Sequence, residues 1–314
     1  MSISNFRGLS YLIKDYPISY SYSTEWLFVQ RTVNIAKKNL LAILPSYDKL
    51  IDYESLILHE NKNFEKDLFQ PIPAAIEEVK NISKLIDGKI LESENATEEN
   101  FKRMAGNYSI LHFAMHTVID NNNPMFSKLV FTPQPNDSAT KEDNLLNTYE
   151  IFNLNLNAQM VILSSCNTGN GNLQKGEGIM SMARGFMYAG CKSLGITLWS
   201  VDDNSSAELM SYFYEFLANG MTKSMALLSA KKKYLQLADP ISTHPHFWAS
   251  HIIIGDTKQL ELRNKSMLKY LAISIFILVF LLICLYILLR QTRSGVLSPR
   301  SLLRKKGFIS RPGV

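Results

Sequence analysis

The sequence predicts an α/β protein, a layered sheet with helices on both faces, followed by one C-terminal membrane-crossing helix. Three features predict it. Short apolar runs alternate with helical stretches from residue 40 to residue 254. One of these runs, M-V-I-L at 160–163, has no polar face to offer water and soon meets turn-forming residues, as a central buried strand does. Residues 270–289 carry no charge, a length sufficient to cross a hydrocarbon core of ~30 Å.

Taken in order, the first expected element is a short strand after Pro17, where Ile18, Tyr20 and Tyr22 share one parity. Thr24-Glu25 ahead of W-L-F-V-Q reads as a helix start, and L-L-A-I-L at 40–44 as a buried strand stopped by Pro45. Residues 46–70 are polar and weakly periodic, which predicts a surface loop or insertion. Pro71 and Pro73 introduce a helix with Glu77 and Glu78 in its first turns, favourable to the dipole. Ile76, Val79, Ile82 and Ile86 mark its apolar stripe. Thr97 and Asn100 open a short helix before a strand at 108–114, and D-N-N-N-P at 120–124 turns the chain. A strand follows at 128–131, then a polar excursion over 132–144. Beyond the strand at 160–163, the spacing predicts helices at 179–189, 205–218 and 222–238 and strands at 193–198 and 252–254.

Composition excludes several classes. At 46% hydrophobic and 19% charged, the chain is an ordinary globular one, not a disordered one. The net charge of +5 is no nucleic-acid signal, because seven Lys/Arg and no acid lie between Arg290 and the end. Three cysteines, Cys166, Cys191 and Cys284, are too few and too odd for a disulfide framework. The first ten residues lack the apolar core of a signal peptide. The basic tail next to the apolar run is a topology determinant and a contact for anionic lipid.

The chemistry-bearing residues gather at strand ends. Cys166 follows the 160–163 strand and is followed by Asn167, Thr168 and Gly169, so its thiol belongs at the carboxyl end of a central strand. Ligands and chemistry collect there in open α/β sheets. His116 follows the 108–114 strand, 50 positions before Cys166, the spacing known between the histidine and cysteine of caspases. A base and a thiol on adjacent strand ends form a cysteine-peptidase arrangement. His112 and His116 are four apart, a zinc spacing on a helix, but the segment reads as strand and no ligand cluster follows, so no metal is expected. The glycines at 169, 171, 176 and 178 have no Lys-Ser/Thr pair after them, which argues against a phosphate loop and for a substrate loop. Asp202 and Asp203 follow Trp199 at a strand end, where an N-cap before Ser205 is the plain reading.

Six segments in this order resemble the CHAT-domain family, which is caspase-like and related to separases: L-H-F-A-M-H (111–116), L-S-S-C-N-T-G (163–169), G-E-G (176–178), A-R-G-F-M-Y-A-G (183–190), L-W-S-V-D-D (198–203) and H-P-H-F-W-A-S-H-I-I-I-G-D (244–256). The resemblance implies a caspase-type fold and a cysteine endopeptidase with a His116–Cys166 dyad. It implies an oxyanion hole from the backbone N–H groups of Thr117 and Cys166, and no cofactor. In separase-like relatives an acid of the 198–203 loop receives a basic P1 side chain, which makes Asp203, with Asp202 beside it, the substrate-binding candidate. One departure stands out. The family has A-T-H-G where this chain has A-M-H-T, and a β-branched Thr117 resists a positive-φ backbone that glycine accepts.

The expected organisation is a CHAT domain over 1–257, with 1–70 its N-terminal part and 71–257 carrying the motifs. A juxtamembrane linker (258–269), a transmembrane helix (270–290) and a basic tail (291–314) follow. Family members carry helical repeats ahead of the domain, so a shortened or split product served by a helical-repeat activating partner is the expectation. The other partners expected are a protein or peptide substrate and membrane lipid, with no nucleic acid. The location expected is a single-pass membrane protein, with either side open to the catalytic domain. The rival reading is a catalytically weak pseudopeptidase that serves as a membrane-tethered interaction module.

Overall fold

Six strands form the main sheet: β1 (Lys38–Leu44), β2 (Gly88–Glu92), β3 (Tyr108–Phe113), β7 (Met160–Leu163), β8 (Ser193–Thr197) and β9 (His251–Gly255). Their order across the sheet is β2-β1-β3-β7-β8-β9. All neighbours run parallel except β9, which is antiparallel to β8. This computed structural model describes residues 6–23, 36, 38–47, 71–132, 142–164, 177–262 and 265–294. The expected helix start at Thr24, most of the 46–70 loop, the glycine-rich loop with Cys166, and the basic tail beyond residue 294 lie outside them.

Side-chain alternation builds two cores, one on each face of the sheet. Leu41, Ile43, Leu111, Phe113, Val161, Leu163, Leu194 and Ile196 point to one face, where α4 (Glu177–Tyr188) adds Met182, Ala183 and Phe186. Leu40, Ala42, Ile110, Ile162 and Ile253 point to the other. There they meet α1 (Pro73–Leu85), α5 (Asp203–Ala218) and α6 (Lys223–Leu237). A sheet covered on both faces explains why β7 reads as an unbroken apolar run.

The strand order reverses between β1 and β3. The chain runs from β1 out to β2, then returns to lay β3 on the other side of β1. That reversal opens a crevice at the carboxyl ends of the strands. A second, antiparallel sheet stands there: β4 (Thr117–Val118), β5 (Lys128–Val130) and β6 (Leu145–Asn147). It is joined to the first at His116.

Several elements depart from expectation. Strands β2, β4 and β6 went unseen, β2 because an edge strand buries only one residue fully and β4 because it has two residues. The strand expected after Pro17 reduces to a single bridge from Tyr20 to Ile254. On α1 the stripe is rotated: Ile76 is 57% exposed, while Ala75, Glu78, Val79 and Ile82 are buried. Glu78 therefore serves a buried polar contact instead of the solvent side of the helix.

The small sheet is stapled by charge. Lys102, on α2 (Glu98–Met104), lies 2.7 Å from Glu98, 2.6 Å from Glu142 and 3.0 Å from Glu150. Glu150 belongs to α3 (Thr148–Ile151), whose first turn it closes in a capping box with Asn147. The three carboxylates gather closely enough to suggest a cation, and the ammonium of Lys102 is that cation. Burial pushes the Glu98 carboxyl up to about 7 despite Lys102.

The chain divides into two compact units, Met1–Arg263 and Asn264–Val314. In the second, the described element is one helix, α7 (Lys265–Ser294), about 45 Å long at 1.5 Å per residue. Its large apolar side chains from Ile275 to Ile283 are exposed. Among the described residues no helix is long and apolar enough to cross a membrane; the continuous run of described side chains in α7 covers 274–287.

Replacing Lys102 with Met takes the shared cation from three carboxylates, one of them fully buried, and should destabilise the fold. A carboxyl whose folded pKa is raised binds its proton more tightly folded than unfolded, so stability falls as pH rises from the ordinary carboxylate range to about 7. Denaturant unfolding should therefore show Lys102→Met most destabilised at pH 7 and closer to the parent at pH 5. An equal loss at both values would show that Lys102 does not neutralise Glu98.

Candidate active site at the carboxyl edge of the sheet

His116 lies three residues beyond the last residue of β3, in the link to β4. It is 4% exposed. The β3 ladder continues past its end, since Ala114 N–H donates to the Ile43 carbonyl at 3.0 Å. His116 N–H donates to Tyr47 Oη at 3.0 Å, and Tyr47 Oη donates to the Val130 carbonyl at 2.8 Å. The two rings meet with centroids 4.7 Å apart and planes tilted by 51°.

Thr117 has the extended backbone of β4, paired opposite Leu129. Among the described residues the non-glycine positive-φ positions are Ser93 and Asn144. The strain expected of a β-branched residue here is therefore absent, which corrects the expectation drawn from glycine in the family. Ladder alternation also aims the Thr117 N–H. The neighbouring His116–Val130 pair is the hydrogen-bonded kind, with Val130 N–H on the His116 carbonyl at 3.1 Å. The Thr117–Leu129 pair is then the other kind, so the Thr117 N–H turns away from β5.

Cys166 lies outside the described residues, and the strand that leads to it does not. Strand β7 pairs with β3 in the register Phe113–Leu163. Ser164 then extends the ladder, its N–H donating to the Phe113 carbonyl at 3.0 Å. Its hydroxyl donates to Glu78 Oε1, and its carbonyl accepts from Ser206 Oγ at 3.4 Å. Three elements thus hold the exit of β7: β3, α1 and α5.

His112 is fully buried on the face shared with α1 and α5. Its Nδ1 is 3.0 Å from Tyr214 Oη. Its Nε2 lies 3.2 Å from Glu78 Oε1, within ion-pair distance though off the line of a hydrogen bond. The structure places His112 and His116 apart in role: one supports the strand exit from below, the other stands at the edge.

Asp202 caps α5, with Oδ1 accepting from Ser205 N–H and from Ser205 Oγ, each at 2.9 Å. The plain reading of Asp202 thus holds, and the carboxylate is engaged. Asp203 is the first residue of α5 and exposed. Its carboxyl is held above the ordinary range by partial burial first, then by the charges of Asp202 and Glu78.

Cys191 and His251 have structural surroundings. Cys191 is buried, donates to the Ser193 carbonyl at 2.9 Å, and burial pushes its thiol up to about 12. His251 is buried with Nε2 3.2 Å from Ser206 Oγ, and burial followed by Lys231 lowers it to about 3. It stays neutral. Two residues of this edge escaped the sequence reading, Tyr47 and Glu78. Glu78 had a signal, an acid one position from an apolar stripe that fits better when rotated. Tyr47 had none.

A topological switch point with a buried histidine at its edge is the arrangement that α/β sheets use for ligands and chemistry. The family follows from comparison: residues 4–256 match the CHAT domain, and the chain belongs to that family. Among curated relatives, tetratricopeptide repeat protein 28 of mouse is 28% identical over 62% of this chain and 9% of its own length. The human protein of that name is 25% identical over 81% of this chain and 12% of its own length. The chain thus spans about a tenth of the curated relatives it matches. Among solved structures, separase in the Saccharomyces cerevisiae separase–securin complex has a TM-score of 0.40 at 14% identity, covering 77% of this chain and 14% of its own. The Arg-specific cysteine proteinase gingipain R has 0.42 at 12% identity, covering 73% and 49%.

Removing the Ser164 hydroxyl leaves a buried carboxyl oxygen short of a donor, at a cost of about 1–3 kcal/mol. Ser164→Ala should lower stability by that amount in denaturant unfolding. A change within ~0.5 kcal/mol, the usual range of surface substitutions, would show that Glu78 does not hold the strand exit.

Proposed function

We propose that this chain is a membrane-anchored CHAT-type cysteine endopeptidase that hydrolyses peptide bonds with a His116–Cys166 dyad. The observation that carries the reading is the pairing of β3 with β7. Phe113 and Leu163 are register partners on adjacent parallel strands, and His116 and Cys166 each follow three positions later in sequence. The Cys166 thiolate attacks the scissile carbonyl carbon, and the backbone N–H groups of Thr117 and Cys166 receive the oxyanion. His116 protonates the leaving amine; water then cleaves the acyl-enzyme with His116 as base. The direction of the Thr117 N–H, away from β5, supports its part. Asp203, at the first turn of α5 with Asp202 committed to the cap, receives a basic P1 side chain.

The anchor is α7. Its uncharged run at 270–289 lies within one 30-residue helix whose apolar side chains from Ile275 to Ile283 face outward. The basic residues after it would contact anionic lipid. The curated relatives are tetratricopeptide repeat proteins, which supports a helical-repeat protein as activating partner. The second reading, a pseudopeptidase acting as a tethered interaction module, draws on the curated relatives being tetratricopeptide repeat proteins.

Labelling of the full-length chain in detergent with peptide electrophiles that differ at P1 tests both chemistry and specificity. The expected label sits on Cys166, forms fastest with Arg or Lys at P1, and slows about 10²-fold or more in His116→Ala, the usual contribution of a general acid or base. Asp203→Asn should erase the basic preference and keep the label. Cys166 labelling no faster than Cys191, with no effect of His116→Ala, would replace the peptidase with the interaction module.

A further inference from the structure

We propose that Tyr47 is a positioning residue for His116, its hydroxyl standing as a wedge between the histidine's amide and the Val130 carbonyl. The inference rests on the dyad reading and deepens it. The register of β4 with β5 pairs Thr117 with Leu129 and Val118 with Lys128, so one step back His116 faces Val130. Such a facing pair in an antiparallel ladder exchanges two hydrogen bonds. One is direct, Val130 N–H to the His116 carbonyl at 3.1 Å. The place of the second is taken by Tyr47, which accepts from His116 N–H at 3.0 Å and donates to the Val130 carbonyl at 2.8 Å.

One oxygen inserted into the ladder has two consequences. It parts the strands at His116 while leaving the His116 N–H and the Val130 carbonyl each with a partner. It also ties the histidine to the end of β1, because Tyr47 lies three residues beyond Leu44. The crevice between β1 and β3 is thereby bridged at the point where His116 leaves the sheet. The ring of Tyr47 then confines the imidazole from one side, at a centroid distance of 4.7 Å. Both residues are buried, at 5% and 4% exposure, so packing holds this geometry as well as hydrogen bonding.

Tyr47→Phe keeps the ring and removes the wedge. The His116 amide and the Val130 carbonyl can then close on one another, carrying the histidine toward β5. A displacement of about 1 Å in a reacting group can cost 10²-fold, so a loss of about 10-fold or more is expected in Cys166 alkylation by iodoacetamide. The second readout is the titration of His116 itself, followed by carbon-13 labelling of the imidazoles and assigned with His116→Ala. Its midpoint should move in Tyr47→Phe while those of the other histidines hold. A merely structural role would lower thermal stability and leave both readouts in place, which overturns the proposal. If His116→Ala leaves wild-type Cys166 alkylation unchanged, the dyad reading falls and takes this role with it. If His116→Ala slows alkylation and Tyr47→Phe changes neither readout, the role of Tyr47 alone falls. Should Tyr47→Phe fail to fold, Tyr47 replaced with p-aminophenylalanine still donates to Val130 but accepts poorly from His116 N–H. The same two shifts, smaller in size, are expected there, and their absence overturns the proposal.

Discussion

The parallel pairing of β3 with β7 is the constraint on which the rest depends. Parallel strands cannot be joined by a tight turn, so the chain between them must make a long excursion and return. Here the excursion carries the whole second sheet, α3 and the link through His116. Once Phe113 and Leu163 are register partners, the two strands end side by side at one edge of the sheet. The apolar alternation on both faces fixes that register, because a slip by one residue would send Leu111 and Val161 to the wrong core.

The edge above this pairing departs from apolar order. Glu78, His112, Ser164 and Ser206 are all buried, and each has a polar neighbour in reach. A buried polar network is costly unless satisfied, and natural proteins keep such departures from consistency mainly at functional sites. The network anchors the exit of β7 from α1 and α5, as Tyr47 anchors the exit of β3 from β1. Two strand ends are thus braced from outside the strands that carry the candidate residues. Sequestered elsewhere, Cys191 has the opposite surroundings, an apolar core that keeps the thiol protonated.

Much of this was legible in the sequence, and what was not has physical causes. The central strands announced themselves because both faces of the sheet are covered; 160–163 is an unbroken apolar run, and 108–113 is one interrupted by Ser109 and His112. The helices α5 and α6 followed from their spacing, and the cap of α5 from Asp202. Strand β2 did not, since an edge strand with a burial pattern of one full residue in five looks like a loop. The strand state of Thr117 was likewise hidden, because it depends on β5, eleven residues or more away in sequence. Tyr47 is the extreme case. Its role exists only where the end of β1, the link after β3 and β5 meet, and no local pattern encodes a meeting of three segments.

The central claim, that positions 116 and 166 share one crevice, is tested most directly by chemical cross-linking. In His116→Cys with Cys191 and Cys284 replaced by Ala, a short thiol-to-thiol reagent should join residues 116 and 166 within one chain, as mass spectrometry of the linked peptides would show. A cysteine placed instead at Asp120, in the turn beyond β4, should join Cys166 far more slowly. Linkage at 120 that equals or exceeds linkage at 116 would contradict the account, since the register of β3 with β7 would then fail to bring the two residues together.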